Sequence, residues 1–342
     1  MRRFFLSFNF KLYFYCPNTF FMKFRFLAAF TLLTFCSLTS CEKQEKISIN
    51  KDTLLANLKE ISRDAYEGRG FSKPGNYKAP QFISDKFKSI GFEVYEGDNY
   101  VQKFNHTFKG KWRQRMFPIE NATKDFSNVP DTTVVGGNVI GMIKGETDKT
   151  IVITAHLDHL GIRDGKIYNG ADDDASGTAA LITMAEYFKQ KTPKHTLIFA
   201  AVDAEEIGLV GAEYFVKNYE NAQENIVLNI NMDMISHNDS LRLFASGLYH
   251  NPQLKPQLEN IKTPINLLFG HDDPNNKDED DWTFSSDHGV FHKRKIPFIY
   301  FGVEDHKDYH KHTDTFENIN QEFYVEAVKL IIQVIENCDN SL

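Results

Sequence analysis

Two short stretches concentrate reactive side chains in this chain: TAHLDHLG at residues 154–161 and NGADDDASG at 169–177. His156 offers a neutral imidazole. Asp158 stands two residues on, hence on the same side of an extended chain, where its carboxylate can hold that ring from behind. Further candidates lie downstream: Glu205 and Glu206 after HTLIFAAVD, Asp233 closing NINMD, and His310 within DYHKHTDTFENI. A carboxylate beside apolar strand residues is costly to bury unpaired, and a divalent cation removes that cost. If Asp173, Glu206 and Asp233 bind as carboxylates and His156 and His310 as neutral imidazoles, three negative charges suit two divalent ions rather than one. Nitrogen and oxygen donors without thiolate fit zinc, with cobalt or manganese as alternatives. Two ions about 3.5–4 Å apart that share a carboxylate suit hydrolysis of an acyl bond.

These residues need elements that end at one place. From Gly137 onward, NVIGMIKG, TIVITAHLD, HTLIFAAVD, IVLNINMDMI and IPFIYFGV read as five apolar strands. Helical patterns fall at 175–190, about 208–218, 251–261, 286–294 and 320–337. Such interleaving predicts an α/β fold, a mostly parallel central sheet flanked by helices on both faces. Each candidate ligand then lies beyond a strand's carboxyl end, where such sheets carry their sites. Upstream, Leu54, Leu55, Leu58 and Ile61 mark one amphipathic helix, and Ala79, Phe82, Ile83, Phe87 and Ile90 another that stops at Gly91. FEVY and VQKFNHTF alternate like strands, and EGRGFSKPG reads as a loop. The segment 109–134 is weakly patterned. HDDPNNKDEDDW at 271–282 is an acidic loop, either solvated or a rim to the site's mouth.

The chain has 342 residues, with 42% hydrophobic and 25% charged, ordinary values for a globular protein. Its N-terminus is not ordinary. From Met22, MKFRFLAAFTLLTFCSLTSC has a basic start, a short apolar core and the ending Leu38-Thr39-Ser40-Cys41. The core is too short to span a bilayer, so it reads as a signal peptide, and residues 1–21 as an upstream extension from a wrongly chosen start. The ending resembles a bacterial lipobox, which implies lipidation of Cys41, residues 41–51 as a polar tether, and one catalytic domain over 52–342. The protein would then be lipid-anchored in the cell envelope. Without residues 1–40 the balance is 34 basic against 46 acidic residues, or −12. That disfavours nucleic acid and electrostatic adhesion to anionic lipid.

Taken together and in order, AHLDHLG, NGADDDASG, DAEEIGLVGAEYF, NMD, SDHGVF and DYHKHTDTF resemble the co-catalytic di-zinc aminopeptidase family, relatives of glutamate carboxypeptidase and transferrin receptor. The resemblance covers about residues 52–337 and implies a zinc-peptidase three-layer sandwich acting on peptides. By it, Asp173 bridges two zinc ions, His156 and Asp233 complete one position, and Glu206 and His310 the other. Glu205 would be the general base toward a water between the ions. Tyr309 matches a position that can carry an oxyanion donor, with packing as its other reading. Asp287 and His288 would structure the pocket wall. Two departures stand out: no protease-associated domain lies between the first strands, and His312 occupies a place where a non-ligand is expected. In the family the liganding His precedes Asp-Thr by four residues, which selects His310.

Three functions compete on these residues. The first is an aminopeptidase, its pocket built from the insertion 234–285, with a carboxypeptidase or dipeptidase of the same clan as a variant. The second is a glutaminyl cyclase on a related fold. The third, a non-catalytic binding protein, conflicts with the filled ligand set and the intact Glu205.

Overall fold

The computed structural model describes residues 47–110, 130–219 and 223–342. Cys41 and the leader lie outside them. Asn50 opens α1 (Lys51–Ile61) by accepting the Thr53 backbone N–H on its side chain, which satisfies a donor the first turn leaves free. Helix α2 (Lys78–Ile90) buries Ala79, Ile83 and Phe87 and stops at Gly91, whose φ of 76° is unstrained only for glycine. There follow β1 (Glu93–Val94), β2 (Val101–Phe108), β3 (Thr132–Ile143), β4 (Thr150–His156), β5 (Gly161–Arg163), β6 (Lys166–Tyr168) and α3 (Gly177–Phe188). Then come β7 (Thr196–Val202), α4 (Val210–Lys217), β8 (Ile226–Met232), β9 (Arg242–Ser246) and α5 (Lys255–Leu258). The chain ends with β10 (Asn266–Phe269), α6 (His288–Lys293), β11 (Phe298–Gly302) and α7 (Gln321–Ser341).

Nine strands form one sheet in the order β1-β3-β7-β4-β8-β11-β9-β10, with β2 also paired to β3. Its centre, β7-β4-β8-β11, is parallel, as expected where helices α3 and α4 carry the chain back between strands. Toward the edges antiparallel pairs appear, β3 on β7, β1 and β2 on β3, and β9 on β11, while the edge strand β10 is parallel to β9. The predicted parallel sheet is therefore its core, and the whole is mixed.

Alternation along the strands separates two apolar layers. Ile151, Ile153, Leu197, Phe199, Leu228 and Ile230 pack with α1, α2, α3 and α7, including Leu58, Phe87, Leu181 and Ile331. Val152, Ile198, Ala200 and Val202 face the other way, onto Phe215 of α4 and Phe291 of α6. This is the predicted three-layer arrangement.

Three stretches differ from the expected pattern. Strand β3 starts at Thr132 rather than 137, because Thr132–Val135 pair with β2 on a half-exposed rim. The expected helix 251–261 shrinks to a short turn and α5, since Pro252 and Pro256 each start a turn anew. The insertion 234–285 contributes β9 and β10, which widen the sheet beyond β11. Among the described residues no helix is long and apolar enough to cross a membrane.

Candidate metal centre

Because β4, β7, β8 and β11 run parallel, their carboxyl ends fall on one rim of the sheet. His156 is the last residue of β4, Glu205 and Glu206 follow β7, Asp233 follows β8, and His310 lies in the loop after β11. Asp173 arrives from the turn before α3. His156 Nε2 lies 3.2 Å from Asp173 Oδ1 and 3.5 Å from Asp233 Oδ1. His310 Nε2 lies 3.1 Å from Asp173 Oδ2 and 3.8 Å from Glu206 Oε1. Asp173 thus divides its two oxygens between two groups of donors. One residue absent from the predicted set joins the second group: His159 Nδ1 is 2.8 Å from Glu206 Oε1 and 3.6 Å from Asp173 Oδ2.

Both groups, His156–Asp173–Asp233 and His159–Asp173–Glu206, bring their donor atoms close enough to hold an ion. Several of these atoms are buried with no hydrogen-bond partner: Asp233 Oδ1, Glu206 Oε1 and both ring nitrogens of His159. Buried polar atoms are almost always paired. Orphans gathered at two points, all imidazole or carboxylate, fit cations of the zinc type.

The Asp triplet divides its labour. Asp172 accepts the Ser236 N–H and hydroxyl at 2.6 and 2.8 Å. Asp174 accepts the N–H groups of His156 and Gly177 at 3.0 and 2.9 Å. Only Asp173 faces the two histidine groups, while its own N–H and that of Asp172 are held by Asp314. Three non-glycine residues at the rim adopt left-handed backbone: Ala204 (φ 64°), Met234 (φ 61°) and His310 (φ 54°). Conformations of this kind collect where function dictates geometry.

Asp158 acts differently from the expectation. Its carboxylate accepts the backbone N–H groups of Glu205 and Glu206 at 3.0 and 3.3 Å, and lies 3.8 Å from His156 Nδ1. The ring is instead met by the Asp158 backbone carbonyl at 3.1 Å. The chain has left β4 by residue 158, so the side chain turns toward the end of β7. Arg69, inside the stretch read as a plain loop, is fully buried. It donates to the carbonyls of Leu157, Asn169, Gly170 and Ile61, tying both ligand-bearing loops together.

Electrostatics follow from burial. Burial would lower the His156 pKa, yet Asp233 and Asp173 outweigh it and raise the ring well above its usual range. The same contest raises His310. Glu205 is pushed well above the usual carboxylate range by desolvation, opposed by His156 and reinforced by Asp287, Asp233 and Glu206. Tyr309, stacked on the His310 ring at 4.0 Å, is raised by burial and then by Asp173 and Asp233, so its hydroxyl keeps its proton. Asp287, fully buried with neither oxygen hydrogen-bonded, rises to about 7, first by desolvation.

His312 is turned away. Its Nε2 accepts from Lys166 Nζ at 2.8 Å, toward the β5–β6 hairpin. A further gathering of His237, His306 and Asp308 lies nearby. There His306 Nδ1 accepts the Asp308 N–H, so its Nε2 carries the proton and donates to Asp172. His306 therefore braces the Asp triplet. Cavities of about 600 and 450 Å³ open by β9 and β10, lined by none of these ligand candidates.

A parallel-sheet rim that gathers paired histidine–carboxylate groups beside Glu205 is a candidate site for two divalent cations. The chain belongs to peptidase family M28, whose sequence profile matches residues 138–335, as the motifs suggested. It is similar to a probable zinc metalloprotease of Pyrenophora tritici-repentis, 38% identical over 108 residues, which are 29% of this chain and 23% of that protein. The chain spans about half the length, or less, of the curated relatives it matches. Two crystal structures share its fold. The zinc aminopeptidase of Bacillus subtilis superposes with a TM-score of 0.60 at 17% identity, covering 84% of this chain and 95% of that one. The glutaminyl cyclase of Bacteroides thetaiotaomicron superposes with 0.63 at 16% identity, covering 85% and 99%.

Proposed function

We propose that this protein is an aminopeptidase that removes the N-terminal residue of peptides with two zinc ions. The observation that carries this reading is Asp173, whose two oxygens face two separate donor groups 3.1–3.2 Å away. His156 and Asp233 would complete one position and Glu206 and His310 the other. When bound, the ions would acidify water and polarise the scissile carbonyl. Glu205 takes the proton released during attack and delivers it to the departing amine, a role suited by its place after β7 beside Glu206. The protonated Tyr309 hydroxyl, held by its stacking on His310, is the candidate donor to the developing oxyanion. Asp158 fixes the backbone of Glu205 and Glu206 and so sets where that proton is received.

The likeness of fold to a glutaminyl cyclase supports a second reading, cyclisation of N-terminal glutamine. A panel of peptides differing in N-terminal residue, assayed on the purified protein with and without chelator, separates the two. Release of free amino acids from many N-termini supports the aminopeptidase. Ammonia from N-terminal glutamine alone supports the cyclase, and release from the carboxyl end a carboxypeptidase. We also propose attachment to the cell envelope through lipid on Cys41, on the strength of Leu38-Thr39-Ser40-Cys41.

A further inference from the structure

We propose that His159 is a fourth protein ligand of the second metal position, beside Asp173, Glu206 and His310. This rests on the two-metal reading above. His159 is 1% exposed, and neither of its ring nitrogens has a hydrogen-bond partner. Yet its Nδ1 stands only 2.8 Å from Glu206 Oε1, an oxygen that is itself buried and unpartnered. Two polar atoms this close that make no hydrogen bond are not aimed at each other. A cation between them would take a lone pair from each.

The neighbouring separations fit such a cation. His159 Nδ1 to Asp173 Oδ2 is 3.6 Å, His310 Nε2 to Asp173 Oδ2 is 3.1 Å, and His310 Nε2 to Glu206 Oε1 is 3.8 Å. Donors bound at about 2.0–2.2 Å around a tetrahedral zinc ion are separated by roughly 3.3–3.5 Å, and the observed values straddle this. A packing histidine would instead have its N–H satisfied by a carbonyl or carboxylate. The backbone presents the ring deliberately. His159 N–H donates to the Arg69 carbonyl at 3.3 Å, and Gly70 bridges to residue 159. Gly161 follows with φ 76°, packed so closely on Gly70 that a side chain there would meet its backbone.

The count then separates the two positions. His156, Asp173 and Asp233 give the first three protein donors, whereas His159, Asp173, Glu206 and His310 give the second four. The second position would then hold its ion with one more protein donor than the first.

Zinc titration against a chromophoric chelator tests this on the wild-type protein, His159→Ala and, as a control, His312→Ala. The wild type and the control are expected to take up two equivalents. His159→Ala should keep one at unchanged affinity and lose about 100-fold or more on the other, beyond the 10–100-fold typical of residues that only orient a ligand. A smaller loss, with two equivalents in the wild type, overturns the assignment of His159 alone. One equivalent in the wild type overturns the two-metal reading itself. His159→Cys keeps a donor should the alanine variant fail to fold. With cobalt bound it should show sulfur-to-cobalt charge-transfer absorption, and cobalt binding without that band overturns the proposal.

Discussion

Arg69 Nη2 donates to the Gly170 carbonyl at 2.8 Å, joining a loop before the sheet to the one that carries Asp173. The same guanidinium reaches Leu157, so one buried cation spaces His156 from Asp173. Desolvation lowers its pKa, with Asp173, Asp314, Asp174 and Asp158 opposing. Arg69→Met would remove the guanidinium from four carbonyls, of which that of Gly170 also accepts the Ala175 N–H. Urea unfolding should show a loss of more than about 3 kcal/mol, with weaker zinc binding in whatever folds.

Glu205→Gln should reduce turnover by about 10²–10⁴-fold while metal analysis still finds both ions, because a base is not a ligand. Glu206→Gln should lower the occupancy of one position, since an amide oxygen is a poorer donor to zinc. The reverse pattern would mean that the two glutamates have exchanged roles.

His310→Ala should lose the second ion and at least about 100-fold in activity. His312→Ala, which removes contacts with Lys166 and Tyr168 on the hairpin, should keep both ions and most activity. Metal analysis of the two proteins decides between them.

His288 gives the fold a pH dependence. Burial drives its pKa down to about 3, only partly offset by the hydrogen bond to the Trp282 carbonyl. The native ring stays neutral while the unfolded ring takes a proton near 6.5. Its contribution is therefore intact above about pH 6.5 and is lost as pH falls toward 3. Unfolding free energy measured in chelator should rise with pH across that window. His288→Gln should flatten the slope by up to about 1.4 kcal/mol per pH unit.

Cys41→Ser should abolish incorporation of a labelled fatty acid and move the protein from membranes to the soluble fraction. An unlabelled, soluble wild type would remove the lipid anchor from the account.

The strands β4, β7, β8 and β11 were readable because each is an apolar run buried on both faces, and four parallel runs put their ends on one rim. Strands β9 and β10 were not, being short and lying in the polar insertion 234–285. Candidate residues at strand ends, His156, Asp233 and Glu206, could be picked out by position. His159 could not, because spacing says nothing about which way a ring turns after the strand has ended. The signal was present in AHLDHLG as a second histidine three residues from the first. Arg69 was hidden for a related reason: a charged residue among Gly, Ser, Lys and Pro reads as solvated, and only burial reveals otherwise. Asp158 was placed behind His156 by strand alternation, a rule that lapsed where β4 stopped.

The Asp314 carboxylate holds the N–H groups of Asp172 and Asp173, and the Tyr324 hydroxyl on α7 donates to the Ser176 carbonyl at 2.7 Å. These clasps come from the far end of the chain, after every candidate ligand has been made. A ribosome that has just translated His156 and Asp173 has produced the pieces of the centre without the latch that orients them. The orientation of Asp173 therefore depends on residues made later than all of the candidate ligands.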